Sequence, residues 1–145
     1  MIVTQNVHIR RPAAEVYGAF ADLNRWVDIL PDTLGVEVLY FDGYNQEFTM
    51  TVQRPNGPET VRGVRYCRAP IELELVQTIP PPGLRHMKGR WTFTEDAAGT
   101  SVSAIRDFEI DGDKSAEPAF AERLSVLLLS NLNRFKEVLE DGRIH

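Results

Sequence analysis

Two arginines fall on strand faces that are otherwise apolar, where a guanidinium could act on a bound ligand. In "TSVSAIRDFEI", Arg106 shares a face with Ala104 and Phe108, because the side chains of a strand alternate between its two faces. In "ETVRGVRYCR", Arg65 likewise shares a strand face with Val61. An unpaired cation in a dry core is unfavourable, so this face is expected to line a partly wet cavity. Two cations there suit carbonyl, enolate or carboxylate groups of a ligand.

Acidic side chains close in sequence offer only one of these arginines a partner. Glu59 has the strand phase of Arg65 and could pair with it, which leaves a purely structural role open for Arg65. Asp107 and Glu109 point to the face opposite Arg106. These assignments hold only without a bulge, because a shift of one residue exchanges the two faces of a strand.

The rest of the predicted cavity lining is aromatic and aliphatic. Gly63 and Gly89 lack side chains on the inner face and are expected to leave volume unfilled. Trp26 and Trp91 either stack on a planar ligand or pack in the core. Asn131 either contacts the ligand or hydrogen-bonds to the sheet. Besides the two arginines, the predicted ligand contacts are Trp26, Leu30, Phe48, Met50, Gly63, Cys67, Met87, Gly89, Trp91, Phe93, Phe108, Leu124, Leu128 and Asn131.

Several kinds of catalytic site have no counterpart in the sequence. The three histidines, His8, His86 and His145, lack metal-ligand spacing, and neither a catalytic triad nor a glycine-rich phosphate loop appears. Cys67 has no evident base beside it and is expected to be a small core residue rather than a nucleophile. The sequence therefore predicts no metal and no cofactor.

Composition points to a cytoplasmic domain and argues against nucleic acid as its partner. The net charge of −5 and the pI of about 5.2 argue against a phosphate-binding surface. A single cysteine fits a reducing compartment, and no signal peptide is recognisable. No segment approaches the roughly 20 apolar residues that span a bilayer, so membrane insertion is not expected. The 145 residues suit one domain over 1–145.

Turn residues at short intervals divide the middle of the chain into strands. Stretches such as "FDGYN", "RPNGPE" and "PPPG" separate runs rich in Val, Ile, Leu, Thr, Phe and Tyr. Short connections imply antiparallel neighbours, so the six later strands are expected to form a meander. The predicted strands are 3–10, 34–41, 45–54, 59–68, 71–79, 84–95 and 100–110.

Helices are predicted near both ends of the chain. Pro12 suits the first turn of a helix through "PAAEVYGAFA", and Asp22 could cap a second helix, "DLNRWVDIL". A long C-terminal helix would be capped by Ser115, tolerate Pro118 in its first turn and end at Gly142. The predicted class is α+β: a seven-stranded antiparallel sheet curved around the long helix, with two short helices between the first two strands.

The sequence resembles a known superfamily over residues 6–140. "VHIRRPAAEVYGAFADLNRWVDILP" resembles the opening of the START-like (helix-grip, SRPBCC) superfamily. More narrowly, "VRGVRYC", "PPPGLRHMKGRWTF", "TSVSAIRDFEI" and the helix ending "NLNRFKEVLE" are similar to bacterial polyketide aromatase/cyclases. The resemblance implies a helix-grip fold whose cavity admits a poly-β-ketone tethered to an acyl carrier protein.

The resemblance also implies roles for individual residues. Arg65 falls where the family carries an arginine proposed to polarise a ketone or steady its enolate, and Trp91 and Trp26 fall on its pocket tryptophans. Among the departures from the family pattern, two concern the chemistry of the site. Thr33 stands near the position of a tyrosine invoked as proton donor, and Arg106 stands where a neutral or histidine side chain is common.

Two functions from different classes follow. The first is a polyketide cyclase/aromatase, or dehydrase, with Arg65, Arg106 and Thr33 as catalytic residues and an acyl carrier protein as partner. The second is a non-catalytic carrier or sequestering protein for a lipid, quinone or aromatic natural product. The paired interior arginines favour the enzyme, and the lack of an obvious acid or base favours the carrier. Either would act as a monomer or a homodimer.

Overall fold

The computed structural model describes residues 1–141, which form one antiparallel sheet and three α-helices. No helix in this span is both long and apolar enough to cross a membrane. Single 3₁₀ turns, Leu23–Arg25 and Lys114–Ala116, lead into the second and third α-helices. The strands are β1 (Ile2–Ile9), β2 (Thr33–Phe41), β3 (Asn45–Arg54), β4 (Gly57–Arg68), β5 (Glu72–Ile79), β6 (Leu84–Asp96) and β7 (Gly99–Ile110), and the helices are α1 (Ala13–Ala21), α2 (Trp26–Ile29) and α3 (Glu117–Glu140).

The six later strands form the predicted meander, and the first strand lies at one edge of the sheet beside the last strand. Its order is β1-β7-β6-β5-β4-β3-β2, and every neighbouring pair is antiparallel. Register shifts occur at Arg62/Gly63 and at Leu84/His86, but they leave Arg65 and Arg106 on the inner face. The predicted α+β architecture is therefore confirmed.

The long helix α3 packs against the concave side of this sheet. It has 24 residues, which span about 36 Å at 1.5 Å per residue. Leu128, Leu132 and Phe135 on its inner face are buried. The predicted cap was wrong: the carboxylate of Asp113 accepts a hydrogen bond from the backbone N–H of Ser115, because a 3₁₀ turn precedes the helix. The predicted end at Gly142 lies outside the described residues.

Helices α1 and α2 close one end of the space beneath α3. The ring of Phe20 in α1 stacks on that of Phe135 in α3, with centroids 3.9 Å apart, and meets Phe93 of the sheet edge-on at 5.4 Å. Asp22 caps the following turn as predicted, since its carboxylate accepts from the N–H of Asn24 at 3.2 Å. These contacts fix α2, and with it Trp26, over the sheet.

Candidate functional site

An internal cavity of about 140 Å³ lies between α3 and the concave face of the sheet. Its walls are mostly aliphatic and aromatic and come from α2, α3 and strands β2 to β7. No cluster of three His, Cys, Asp or Glu side chains that could hold a metal occurs within residues 1–141. Of the predicted site residues, those that line the cavity are Trp26, Leu30, Thr33, Phe48, Met50, Arg65, Met87, Trp91, Arg106, Leu128 and Asn131.

Arg65 is fully buried, and its partners are neutral. Its Nε donates to Oε1 of Gln46 at 2.8 Å, and its Nη2 donates to the carbonyl of Ala21 at 2.9 Å. Its Nη1 has no hydrogen-bond partner among residues 1–141. The alternative in which Glu59 pairs with Arg65 is not what the structure shows, because the Glu59 carboxylate instead pairs with Arg54 at 3.1 Å. Burial lowers the pKa of Arg65 to about 10, which leaves it charged at neutral pH.

The negative end of a helix takes the place of a carboxylate beside Arg65. Ala21 is the last residue of α1, and its carbonyl also accepts from Nε2 of Gln46 at 3.0 Å. The carbonyls at a helix C-terminus carry a partial negative charge that stabilises a cation. A backbone dipole offsets only part of the guanidinium charge, so positive potential remains for a ligand.

The guanidinium of Arg65 lies within cation–π distance of both tryptophans of the chain. The Arg65 guanidinium carbon lies 5.3 Å from the ring centroid of Trp26 and 5.4 Å from that of Trp91. Nε1 of Trp26 donates to the carbonyl of Phe20 at 3.1 Å, which fixes that ring. Both rings are buried in the core, and both also line the cavity. They are therefore in position to contact a ligand.

Arg106 lies on the neighbouring wall and is only partly buried. Its guanidinium carbon is 4.4 Å from the ring centroid of Trp91, and its Nη1 donates to the carbonyl of Ile105 at 2.9 Å. Neither Arg106 nor Arg65 has a carboxylate within ion-pair distance in the described chain. Desolvation lowers the pKa of Arg106 to about 10. Two charged guanidiniums therefore flank one tryptophan.

The two inner glycines do not leave empty space, contrary to the prediction. A Cβ added to Gly89 would lie 2.6 Å from Nη1 of Arg106, so Gly89 makes room for that guanidinium. A Cβ on Gly63 would lie 3.0 Å from the Phe48 ring and 3.2 Å from Leu75. The volume predicted at both positions is filled by neighbouring side chains.

Four more predicted ligand contacts lie away from the cavity lining. Phe93 packs edge-on against Phe20, and Phe108 lies 4.8 Å from Phe120, so both belong to the core. Cys67 is buried, as expected for a small core residue. Leu124 lies on the outer groove described below.

Thr33 and Asn131 supply neutral polar groups to the cavity wall. Thr33 begins β2 and is 5% exposed. Asn131 projects from α3 and also lines a smaller adjoining void of about 30 Å³. Within residues 1–141, the side-chain bonds that tie α3 to β1 come from Ser125 and Lys136 instead, so the predicted bond from Asn131 to the sheet is not formed.

Sequence reasoning missed two glutamines of this wall. Gln46 positions Arg65, and its β3 phase matches that of Phe48 and Met50, so alternation alone could have identified it. Gln77 lines the cavity in the phase of Leu75. Its Oε1 is buried and has no hydrogen-bond partner among the described residues.

A groove on the outer surface opens into the cavity. It has a volume of about 870 Å³ and runs between the β3–β4 turn, the "PPPG" loop and the first turns of α3. Arg54, Pro81, Met87 and Leu127 line both the groove and the cavity. Arg123 at the rim is exposed. The groove therefore forms the mouth of the cavity.

A family model described as polyketide cyclase/dehydrase and lipid transport matches residues 1–140. The chain belongs to this family. No curated protein matches it by sequence. Because the description of the polyketide cyclase/dehydrase family includes both catalysis and lipid transport, membership is compatible with an enzyme and with a carrier.

Solved structures show the same fold at low sequence identity. The di-domain ARO/CYC StfQ from the steffimycin biosynthetic pathway superposes with a TM-score of 0.84 at 20% identity over 98% of this chain, which covers 52% of StfQ. The Zhui aromatase/cyclase from a Streptomyces species superposes with a TM-score of 0.80 at 22% identity, and the match covers 98% of this chain and 92% of Zhui. A START superfamily protein from Mycobacterium smegmatis superposes with a TM-score of 0.74 at 13% identity, and the match covers 99% of this chain and 96% of that protein. These likenesses confirm the predicted START-like, helix-grip fold.

Proposed function

We propose that this member of the family is a polyketide cyclase that folds a carrier-bound poly-β-ketone in its cavity and promotes ring closure and dehydration. The observation that carries the proposal is the pair Arg65 and Arg106, two guanidiniums on an apolar cavity wall without a carboxylate partner in the described residues. A purely hydrocarbon cargo would not need them.

The reaction places negative charge on oxygen twice. Loss of a proton from a methylene between two ketones leaves an enolate, whose carbon forms a bond to a second ketone carbon. The oxygen of that ketone takes the charge and then a proton, and loss of its hydroxyl with a neighbouring hydrogen as water leaves a carbon–carbon double bond. Guanidiniums held in a site of low dielectric stabilise both oxyanions.

Proton transfer would fall to water and to Thr33. Among residues 1–141, no histidine, aspartate or glutamate lines the cavity, and Thr33 is a weak acid. Much of the rate enhancement would then come from holding a flexible chain in one reactive geometry, which can recover several kcal/mol of entropy. The apolar walls and the two tryptophans serve this role.

The groove at the mouth suits an acyl carrier partner. The arm of such a carrier joins its thioester to the protein through a phosphodiester. Arg123 offers an exposed cation at the rim, and the proline-rich loop beside it offers apolar surface. A substrate tethered to a carrier would extend from the groove into the cavity.

A carrier function is the second candidate, favoured because no carboxylate or histidine of the described part of the chain lines the cavity. Native mass spectrometry of the purified protein separates the two, since a stoichiometric co-purified lipid or quinone would favour the carrier.

The decisive experiment is reconstitution with a minimal polyketide synthase. Addition of the protein is expected to shift the products toward one regiospecific ring, and Arg65→Met is expected to abolish that shift. Arg90→Met is the matched control, because Arg90 lies on the exposed outer face of β6. An unchanged product mixture on adding the wild-type protein would remove the cyclase proposal.

A further inference from the structure

The cavity has a mouth end and a deep end, and the two arginines without a carboxylate partner in the described residues, Arg65 and Arg106, lie at the deep end, whereas Arg54 at the mouth pairs with Glu59. Met87 and Leu127 border the outer groove, whereas Trp91 and Arg106 border the small inner void of about 30 Å³. Arg65 contacts the same tryptophan and does not reach the groove. A ligand anchored by both guanidiniums must therefore enter fully and leave only a narrow tail toward the mouth.

The volume of the cavity limits what can enter. An engineered apolar cavity of about 150 Å³ in another protein binds benzene. The cavity here, at about 140 Å³, therefore accepts one six-membered ring with small substituents. A second fused ring would require the surrounding side chains to move, and closely packed interiors resist such movement.

Two residues of the cavity lining each have a buried polar atom without a hydrogen-bond partner in the described residues, and one of these atoms is a donor and the other an acceptor. Nη1 of Arg65 is a donor without an acceptor, and Oε1 of Gln77 is an acceptor without a donor, within residues 1–141. Buried polar groups are nearly always hydrogen-bonded, so a ligand that supplies both partners would satisfy the site. An oxyanion would accept from Arg65, and a hydroxyl would donate to Gln77.

We infer that the cavity is a site for a single six-membered ring that carries one anionic oxygen and one hydroxyl group. The inference rests on the proposed function and narrows it to substrates whose cyclised part, while bound, is one hydroxylated ring. The uncyclised remainder of such a substrate lies in the groove.

The two tryptophans make this inference directly measurable. Trp26 and Trp91 are the only tryptophans in the chain, and both line the cavity. Their indole N–H signals in a ¹H–¹⁵N NMR spectrum of the full chain therefore report on this site. The probes are benzoate, the three hydroxybenzoate isomers and 1-naphthoate, which share a carboxylate and differ in hydroxyl position or ring number.

Benzoate is expected to shift both indole signals saturably, and at least one hydroxybenzoate is expected to bind threefold or more tightly than benzoate. 1-Naphthoate is expected to bind at least tenfold more weakly. If the cavity set no limit on ligand size, 1-naphthoate would bind more tightly than benzoate, because its second ring buries more apolar surface. Binding of 1-naphthoate as tight as that of benzoate, or no shift with any benzoate, overturns the inference.

Two variants test the polar contacts separately from folding. Gln77→Leu should remove the preference for the hydroxybenzoate while leaving benzoate affinity within threefold, and a retained preference would contradict the role of Gln77. Arg106→Met should weaken every carboxylate tenfold or more, whereas Arg90→Met on the outer face should not; equal effects would contradict an anion site at Arg106. If the synthase assay shows no cyclisation but the ring series holds, the proposed reaction fails and the binding site stands.

Discussion

Replacing Gln46 with glutamate would place a negative charge beside Arg65 while keeping an oxygen in place to hold the guanidinium. The Gln46 Oε1 lies 2.8 Å from Nε of Arg65, so a glutamate oxygen there still accepts the same hydrogen bond. The carbonyl of Ala21 loses the amide of Gln46 but retains Nη2 of Arg65 as donor. The variant therefore cancels the charge of Arg65 without removing its side chain.

The expected effect is large on catalysis and small on stability. Two unit charges about 4 Å apart interact by about 4 kcal/mol at an effective dielectric constant of 20, and the penalty of several kcal/mol for burying a carboxylate offsets most of this. The free energy of unfolding should therefore change by no more than about 2 kcal/mol. Removing one oxyanion-stabilising group typically costs about 10²–10³ in kcat, so cyclisation should slow about 100-fold.

The assay is the rate of cyclised product formation in the reconstituted synthase, with urea unfolding run in parallel. Gln53→Glu is the matched control, because it adds the same charge to the same strand at an exposed position. A Gln46→Glu protein that is as stable as the wild type and equally active would refute the role assigned to the charge of Arg65.

Three further predictions concern the glycine beside Arg106, ionisation of the cavity arginines and a surface carboxylate. Gly89→Ala should displace the Arg106 guanidinium and lower the free energy of unfolding by about 1–3 kcal/mol, whereas Gly35→Ala, with open space around it, should cost less; urea unfolding measures both. Because burial lowers the pKa of both cavity arginines to about 10, benzoate affinity should be constant from about pH 7 to 9 and fall above about pH 10, as calorimetric titration would show. The Lys136 ammonium and a backbone N–H hold the pKa of Glu140 at about 2, below its ordinary value of 4.5, so stability gained above about pH 5 is lost toward pH 2; Glu140→Gln should flatten that loss in urea unfolding at pH 3 and 6.

Much of the fold could be predicted because two local signals agree along the chain. Turn residues mark the ends of the strands, and alternation assigns their faces, so Arg65 and Arg106 could be placed on the inner face from sequence alone. Short connections leave antiparallel pairing as the simplest topology.

The contacts within the site could not be predicted, because they depend on distances between strands. Strand alternation puts Glu59 on the same face as Arg65 and so allows the two to pair. In the structure, however, the Glu59 carboxylate pairs with Arg54 at the end of the same hairpin. Gln46 was overlooked because a neutral amide gives no charge signal. Gly89 carries no side chain, and only the opposite strand shows that Arg106 occupies the space above it.

We expect the two unpaired guanidiniums in the cavity to bind the oxygen atoms of a ligand. The most direct measurement is a crystal structure of the protein soaked with a hydroxybenzoate. We expect a carboxylate oxygen about 2.7–2.9 Å from a guanidinium nitrogen of Arg65 or Arg106, with the ring beside Trp91. A ring bound with its carboxylate toward the groove, or a cavity that stays closed while the ligand binds at the surface, would contradict it.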